Sequence, residues 1–392
     1  MKSLIIAGFA LLSTGLVEAQ RPRFQWSTGK RSIVYFTNWA SYDRKYYVKN
    51  LPIDNITDIN YAFFEMRPLN GSYGIFSTDP WADFDRRFTT SDIGVLPLDT
   101  WSTGAGTYGN FGQFIKLRNA GKKFNFGISI GGWSRSQFFS LAVRTDARRR
   151  IFVNSIIQFV QKFRTLVDRV DIDWEYPSND GINYGLAGNS VDRNDAVNFG
   201  YFLRMLRESL NAAGLSNVEI SICTSSKPEL IRMLPATDII RNVDTVNVMS
   251  YDFKSSQWGP TPAGHQSNLY SVAHSPGSVK LAVDTFISRG FPASKLIIGV
   301  PAYSRGFANT SGLGQPSNGV VSDMSWEAGV SDYKSLPRPN AAEFFDNVAK
   351  AGYSYDPVKR ILNSYETPLS ALEKSKYIWS MNLRGTISKS FC

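Results

Sequence analysis

The chain has 392 residues, of which 43% are hydrophobic and 19% charged, and its formal charge is +10 when both histidines are neutral. This balance is typical of a globular protein with a large core, and it excludes a disordered or fibrous chain. Two cysteines and two histidines exclude a disulfide-rich scaffold and a four-thiolate zinc site, and they leave little for a histidine-built metal site. Because Cys223 and Cys392 are far apart in the sequence, we expect no disulfide.

The first residues have the pattern of a secretory signal peptide. Lys2 supplies a positive charge, residues 4–12 form an apolar run too short to span a bilayer, and small residues precede position 20. The sequence also contains three acceptor triplets for N-glycosylation, at Asn55, Asn70 and Asn309. We therefore expect residues 1–19 to be a signal peptide and the protein to be secreted and extracellular.

Apolar, β-branched runs alternate with helical patterns along most of the chain. The predicted strands are 32–37, 57–64, 123–130, 169–173, 218–224, 245–250 and 295–301. The predicted helices are 111–120, 146–167, 195–213, 228–234 and 278–289. Strands separated by helices indicate a parallel sheet with right-handed crossovers. Seven or eight such units without an evident linker predict an α/β fold, namely a (β/α)8 TIM barrel rather than a doubly wound sheet.

Two segments interrupt this alternation. Residues 66–109 are rich in Gly, Thr and Asp and are predicted to be a long loop region. Residues 305–366 contain Tyr-rich stretches, prolines and glycines, which predict a small α+β insertion domain after the seventh strand, and a final helix is predicted at 368–381. The mature chain therefore divides into a catalytic barrel, residues 20–304 and 367–392, and an insertion domain, residues 305–366.

The most informative stretch is 168–177, because it carries acids at alternate positions. Side chains alternate along a strand, so Asp171, Asp173 and Glu175 share one face while Val170 and Ile172 share the other. In a barrel the apolar face packs under the helices and the acids point inward. Like charges at this spacing cannot all ionise freely, so we expect a shared proton. A glutamate at the carboxyl end of a barrel strand suits general acid catalysis near neutral pH.

With these residues the chain resembles the chitinases of glycoside hydrolase family 18. Their Asp-x-x-Asp-x-Asp-x-Glu signature on the fourth barrel strand matches Asp168, Asp171, Asp173 and Glu175. Other segments are similar to the family's Ser-x-Gly-Gly and Met-x-Tyr-Asp motifs and to its first and seventh strands, namely 129–132, 249–252, 35–39 and 299–305. Segment 305–366 resembles the insertion domain of the bacterial-type and fungal class V enzymes.

The resemblance implies hydrolysis of β-1,4 links between N-acetylglucosamine units with retention, in which the acetamido oxygen of the substrate is the nucleophile. It implies that Glu175 is the general acid and base, that Asp173 orients the acetamido N–H and that Asp171 shares a proton with Asp173. Tyr251 would hold the acetamido carbonyl, and Asp168 would support the strand from below. This chemistry needs neither a metal nor an organic cofactor.

The resemblance also implies a set of substrate-binding residues. Chitin is uncharged and presents flat sugar faces, so its binding should depend on aromatic stacking. The implied residues are Tyr35, Trp39, Phe63, Trp133, Tyr176, Met249, Asp252, Trp258 and, as a hydrogen-bond donor, Arg305. We expect a monomer that acts on chitin or chito-oligosaccharides and has no nucleic-acid or membrane partner.

The end of the chain departs from the family's pattern. The eighth strand normally reads Gly-x-Met-x-Trp, but Lys389 stands at the tryptophan's position, and Trp379 falls in the preceding predicted helix. We therefore expect a truncated or incomplete eighth strand that pairs poorly with the first, and no eighth outer helix. Arg169, where the family has glycine, is expected on a turn.

Two other functions remain open on the same residues. An endo-β-N-acetylglucosaminidase acting on N-glycans would use the same acids, but it fits the insertion domain and the tryptophans less well. A catalytically weakened, lectin-like chitin-binding relative would be consistent with the lost tryptophan. Such relatives typically lose the terminal acid, whereas this chain keeps Glu175.

Overall fold

The computed structural model describes residues 23–93, 108–322, 325 and 327–389. The predicted signal peptide and Cys392 lie outside these described residues. In the described ranges no helix has both the length and the apolar character needed to cross a membrane.

The strands and helices were numbered in chain order. The strands are β1 (Arg31–Thr37), β2 (Asp58–Leu69), β3 (Ser72–Ser77), β4 (Asn125–Gly131), β5 (Arg169–Asp173), β6 (Glu219–Ser225), β7 (Thr245–Met249), β8 (Thr261–Pro262), β9 (Leu296–Pro301), β10 (Tyr303–Phe307), β11 (Pro316–Ser317), β12 (Val330–Asp332), β13 (Ala342–Asp346), β14 (Ala351–Asp356), β15 (Ile361–Tyr365) and β16 (Gly385–Lys389). The helices are α1 (Thr90–Ile93), α2 (Gly109–Asn119), α3 (Phe139–Val143), α4 (Asp146–Lys162), α5 (Asp195–Ala212), α6 (Pro228–Met233), α7 (Ala236–Asn242), α8 (Val279–Ser288) and α9 (Pro368–Ser380).

Eight parallel strands close into a barrel, in the order β1-β16-β9-β7-β6-β5-β4-β2, and β2 pairs with β1 to complete the ring. Helices connect most consecutive strands, which confirms the predicted (β/α)8 TIM barrel. The closure leaves no barrel strand with an open edge.

The eighth barrel strand is short but fully paired. Strand β16 pairs with β9 from Gly385 to Lys389 and with β1 from Gly385 to Ser388. The expected poor pairing with the first strand is therefore wrong, because each residue from Gly385 to Ser388 has a partner in β1. The helix preceding this strand, α9, contains Trp379, as predicted.

The segment 66–109 was expected to be a loop, but its described part contains regular structure. Strand β2 continues to Leu69 and forms an antiparallel hairpin with β3, and a π-helix follows at Trp81–Asp85. Buried Asp83 in this helix accepts hydrogen bonds from the hydroxyls of Tyr61 and Ser77, each at 2.5 Å. The turn of this hairpin, at Asn70 and Gly71, lies within the Gly- and Thr-rich run, and such a composition alone does not distinguish a hairpin turn from a long loop.

The segment between β9 and α9 forms a second sheet. Its five antiparallel strands are ordered β12-β10-β15-β14-β13, and β10 begins two residues after the last residue of β9. The helical structure in the described part of this segment is one 3-10 turn, Tyr333–Ser335. The sheet therefore continues directly from the carboxyl end of a barrel strand.

The barrel has two apolar clusters, one between its strands and the surrounding helices and one in its interior. Val170, Ile172 and Trp174 belong to the large cluster between strands and helices, as the alternation along β5 predicts. A smaller cluster fills the barrel interior towards the carboxyl ends of the strands, and it contains Tyr35, Phe63, Cys223, Met249, Tyr251, Ile297 and Tyr303, with Trp39 and Tyr176 packed against it.

Four charged residues close the opposite end of the barrel, and each is the first residue of its strand. Arg31 lies 2.9 Å from Asp58 and 2.7 Å from Glu219, and the guanidinium of Arg169 contacts the same two carboxylates. The prediction that Arg169 lies on a turn is wrong, because Arg169 is fully buried in β5. Its position two residues before Asp171 places it on the inward face, where opposite charges compensate its burial.

Candidate active site

Asp171, Asp173 and Glu175 form a row of carboxylates that we call the acid ladder, in which the first two lie on the inner face of β5 and Glu175 follows just past the end of that strand. Asp171 and Asp173 are completely buried, and Glu175, two residues later at the carboxyl end of the strand, is 4% exposed. Their neighbours Val170 and Ile172 pack outward against the helices. The structure therefore brings the three carboxylates together in the barrel interior, towards the carboxyl ends of the strands.

Asp171 is held by hydrogen bonds from four other barrel strands. Its Oδ2 accepts from the hydroxyls of Tyr35 and Ser129, both at 2.8 Å. Its Oδ1 accepts from the hydroxyl of Ser221 at 2.5 Å and from Nδ2 of Asn247 at 3.0 Å. The position of this carboxylate is therefore set by β1, β4, β6 and β7 together.

Tyr35 was expected to bind substrate, and the structure assigns its hydroxyl to Asp171. The same hydroxyl lies 2.9 Å from the sulfur of Cys223, which is buried. Burial raises the pKa of Tyr35 well above its usual value, and the charge of Asp171 raises it further. The hydroxyl is therefore protonated at neutral pH and donates to Asp171.

A loop residue that sequence reasoning missed positions the backbone of Glu175. The hydroxyl of Ser136 accepts a hydrogen bond from the Glu175 amide at 3.0 Å and donates to the carbonyl of Gly132 at 3.0 Å. On the other side, Nδ2 of Asn189 donates to the Glu175 carbonyl at 3.1 Å. The glutamate is thus held from both sides although it lies beyond the end of the strand.

The two glycines of the Ser-x-Gly-Gly segment allow β4 and β5 to approach closely. Gly131 has a φ of +106°, and a β-carbon there would lie 2.4 Å from the carbonyl oxygen of Asp173. Gly132 has a φ of +93°, and its amide donates to that carbonyl at 2.8 Å. Any side chain at position 131 would push the acid-bearing strand away.

Tyr251 faces the acids from the end of β7. It is 8% exposed and lies with Met249 in the inner cluster. Burial raises the pKa of Tyr251 well above its usual value, and the nearby charges of Asp173 and Glu175 contribute. Its phenol is therefore a neutral hydrogen-bond donor beside the carboxylates.

Asp252 and Arg305 form a two-pronged ion pair. Nε and Nη2 of Arg305 donate to the two oxygens of Asp252 at 2.7 and 2.9 Å, and Nη1 donates to Gln257. Although burial disfavours its charge, the neighbouring carboxylate of Asp252 raises the pKa of Arg305 above its usual value. This pair links the loop after β7 to β10 of the second sheet. Three N–H groups of Arg305 are thus hydrogen-bonded within the protein.

The predicted aromatic residues occupy two kinds of position. The rings of Trp39 and Phe63 are stacked with their centroids 6.3 Å apart, and Tyr176 packs against the same inner cluster. Trp133 and Trp258 are instead 48% and 63% exposed. The first three line the interior beside the acids, whereas the two exposed tryptophans stand at its rim after β4 and β7.

Asp168 lies outside this constellation. Its carboxylate accepts from the Phe126 amide at 2.9 Å and pairs with Arg118. Asp168 therefore ties β5 to β4 and to helix α2.

Sequence reasoning missed Ser136, Ser221, Cys223 and Asn247. A signal was present for three of them, because Ser221 and Cys223 alternate with buried Ile220 and Ile222 in β6 and Asn247 alternates with Val246 and Val248 in β7. Polar side chains at the inward positions of apolar strands indicate a polar interior. Ser136 lies in a loop, where no such periodicity exists.

The comparisons with known proteins agree with this geometry. The profile of glycosyl hydrolases family 18 matches residues 31–388. The chain is 34% identical over 369 residues to endochitinase 1 of Metarhizium robertsii, covering 92% of this chain and 80% of the relative. It is 32% identical over 370 residues to chitinase 1 of Aphanocladium album, covering 92% and 81%. The solved catalytic domain of the psychrophilic chitinase B from Arthrobacter TAD20 has a TM-score of 0.83 at 27% identity and covers 93% of this chain and 92% of that chain.

Proposed function

The chain belongs to glycosyl hydrolases family 18, and on this premise we propose that it is a chitinase that cleaves β-1,4 links between N-acetylglucosamine units. The observation that carries the proposal is the buried row of Asp171, Asp173 and Glu175 facing the phenol of Tyr251 inside the barrel. The relatives named endochitinase 1 and chitinase 1 support the choice of substrate.

In the proposed reaction Glu175 donates its proton to the glycosidic oxygen as the bond to the anomeric carbon breaks. The acetamido oxygen of the substrate attacks that carbon and forms an oxazolinium ion. Water then attacks the same carbon and displaces the acetamido oxygen from it, while the Glu175 carboxylate accepts a proton from that water and is ready for the next cycle. Net retention follows, because the two attacks come from opposite sides in succession.

Asp173 and Tyr251 would act on the acetamido group during these steps. A carboxylate at Asp173 accepts the acetamido N–H and stabilises the positive charge that develops in the ring. The neutral phenol of Tyr251 donates to the acetamido carbonyl and so aims its oxygen at the anomeric carbon. Asp171, fixed by its four donors, would share a proton with Asp173 and hold it in place.

We further propose that the aromatic side chains form the sugar-binding cleft. Trp39 lies beside the interior cluster, and Trp133 and Trp258 are exposed at the rim. The antiparallel sheet formed by β10 and β12 to β15 would be one wall of this cleft, because its Arg305 pairs with Asp252 next to Tyr251. This arrangement agrees with residues 305–366 acting as an insertion domain.

The decisive experiment is an assay on chitin oligomers with the parent chain, Glu175→Gln and Asp173→Asn, with product lengths read by mass spectrometry. We expect the parent to shorten the oligomers and Glu175→Gln to bind them while losing at least about 10²-fold in rate. Asp173→Asn should lose far more activity than binding. Glu229→Gln, at an exposed position on α6, is the matched control and should behave like the parent.

Three outcomes would contradict the proposal. Binding without cleavage by the parent would favour a lectin-like protein. Release of N-glycans from a glycoprotein without cleavage of chitin would favour an endo-β-N-acetylglucosaminidase. Equal loss of binding and activity in Asp173→Asn would contradict the role given to Asp173.

We also propose that the protein is secreted as a monomer with residues 1–19 removed. The apolar run behind Lys2 and the small residues before Gln20 support this proposal. Amino-terminal sequencing of protein collected from the medium should begin at Gln20, and size-exclusion chromatography should give the mass of one chain. Retention of residues 1–19 on the exported protein would contradict it.

A further inference from the structure

The only two histidines of the chain meet between the barrel and the second sheet. His265 and His274 lie in the connection between β8 and α8, and their ring centroids are 5.5 Å apart. Asp346, the last residue of β13, is the third member of the group. Its Oδ2 lies 3.1 Å from Nε2 of His265 and 3.9 Å from Nε2 of His274.

Hydrogen bonds from backbone amides hold His265 and Asp346 in place. The His265 amide donates to the hydroxyl of Ser275 at 2.7 Å, so the two arms of the histidine loop are joined next to His274. Oδ1 of Asp346 accepts from the amides of Val348 and Ala349 at 2.8 and 3.0 Å. Oδ1 of Asp346 is thus hydrogen-bonded within the turn that follows β13, and Oδ2 faces both imidazoles.

Two imidazole nitrogens have no hydrogen-bond partner among the described residues. They are Nδ1 of His265 and Nε2 of His274, and both atoms are inaccessible to solvent. Nε2 of His274 faces the Asp346 carboxylate at 3.9 Å, beyond hydrogen-bond distance, whereas His265 faces it through its other nitrogen, Nε2. A buried polar atom without a partner is costly, so the unpaired Nε2 of His274 beside this carboxylate indicates a missing ligand.

We propose that His265, His274 and Asp346 bind one divalent transition-metal ion of the zinc class, with a fourth position open to water. Tetrahedral zinc bonds of about 2.0–2.2 Å require ligand atoms about 3.3–3.5 Å apart. The three ligand atoms already lie within 4.8 Å of one another, so shifts of about an ångström close the site. Two imidazoles and one carboxylate suit zinc-like ions, whereas calcium and magnesium prefer oxygen ligands alone.

A bound ion would join the loop between β8 and α8, which follows barrel strand β7, to β13 and so fasten the second sheet to the barrel. The proposed metal site uses none of the residues proposed for catalysis. Its test can therefore fail or succeed independently of the proposed function.

The test uses the full mature chain without a polyhistidine tag, after dialysis against EDTA. Titration with zinc chloride in a calorimeter should show one equivalent of saturable binding, and zinc should raise the melting temperature. His274→Gln and Asp346→Asn should each weaken zinc binding by more than about tenfold. Calcium chloride should change neither the heat signal nor the melting temperature.

Asp356→Asn is the matched control, because Oδ1 of Asp356 accepts from the amides of Val358 and Lys359 in a turn like that of Asp346, but the described structure places no histidine beside it. This variant should bind zinc like the parent. Cobalt gives a second readout, since a tetrahedral site produces a strong visible absorption that His274→Gln should abolish. Absence of saturable zinc binding by the folded parent, or equal binding by His274→Gln and the parent, would overturn the proposal.

Discussion

Gly299 lies directly against the ring of Tyr251. A β-carbon built on Gly299 would lie 2.6 Å from Cε1 and 2.8 Å from Cδ1 of that ring, and 2.9 Å from the carbonyl oxygen of Val248. Strand β9 therefore leaves space for the tyrosine only because position 299 has no side chain.

We expect Gly299→Ala to displace Tyr251 and to lower kcat on chito-oligosaccharides by about 10²-fold, because small misplacements of a reacting group are costly. Gly277→Ala is the control, since its β-carbon would meet the ring of Phe253 at 3.3 Å, outside the site. Steady-state kinetics on both variants decide the matter. Unchanged kcat in Gly299→Ala would show that the position of Tyr251 is unimportant.

The exposed tryptophans should affect the binding of long substrates rather than the chemistry. We expect Trp258→Ala and Trp133→Ala to raise KM for long chito-oligosaccharides by about 3- to 10-fold, because each loses one aromatic stacking contact. Trp379→Ala, which removes a 59% exposed ring from α9, should leave KM unchanged. A series of oligomers of increasing length provides the measurement, and equal KM values in all three variants would contradict the predicted cleft.

The ion cluster at the base of the barrel should be important for stability. Although burial opposes ionisation, Arg169 and Arg31 hold the pKa of Glu219 well below its usual value. Glu219→Gln leaves these guanidinium groups with less compensating charge and should reduce the free energy of unfolding at pH 7 by about 3–5 kcal/mol. Urea denaturation measures this loss.

The control for that measurement is Asp284→Asn. Asp284 pairs with Lys280 on the surface of α8, where both side chains are about half exposed. Removing such a pair should cost no more than about 0.5 kcal/mol. Similar losses of unfolding free energy in Glu219→Gln and Asp284→Asn would contradict the prediction that the buried ion cluster contributes more to stability than a surface pair.

Asp83 should make stability depend on pH. Burial raises the pKa of Asp83 to about 6, against hydrogen bonds from Ser77 and Tyr61 that lower it. Between about pH 4 and pH 6 the folded chain holds a proton that the unfolded chain has released. The stabilisation from this proton is complete below about pH 4 and is lost as the pH rises through about 6.

Asp83→Asn cannot titrate, so the parent's advantage over this variant should shrink by roughly 2–3 kcal/mol between pH 4 and pH 7.5. Denaturation curves at both pH values give this difference. The exposed Asp54, paired with Lys122, is the control, and Asp54→Asn should change stability by less than about 0.5 kcal/mol at either pH. A constant difference between the parent and Asp83→Asn would refute the prediction.

Much of the barrel could be read from the sequence, because the alternation of β-branched runs with helical patterns is local. The short helix α3 and the hairpin of β2 and β3 could not, since each depends on packing against α4 for its stability. The pairing of β16 was also misjudged. Its five residues gain their hydrogen bonds from two strands that lie far away in the sequence.

The sequence by itself determined the core of the acid ladder, because the period of two along β5 places Asp171 and Asp173 on one face whatever the rest of the chain does. It also placed Glu175 two residues further on, past the end of the strand. Only the tertiary structure decided what surrounds that ladder. Barrel closure brings Tyr35, Ser221 and Asn247 to Asp171 from strands up to 136 residues away. In the same way it buries Arg169 among opposite charges. Strand periodicity acts over a few residues and can be recognised in the sequence. The register between strands is set by closure of the whole ring, and the sequence pattern does not show which residues of distant strands will then lie side by side.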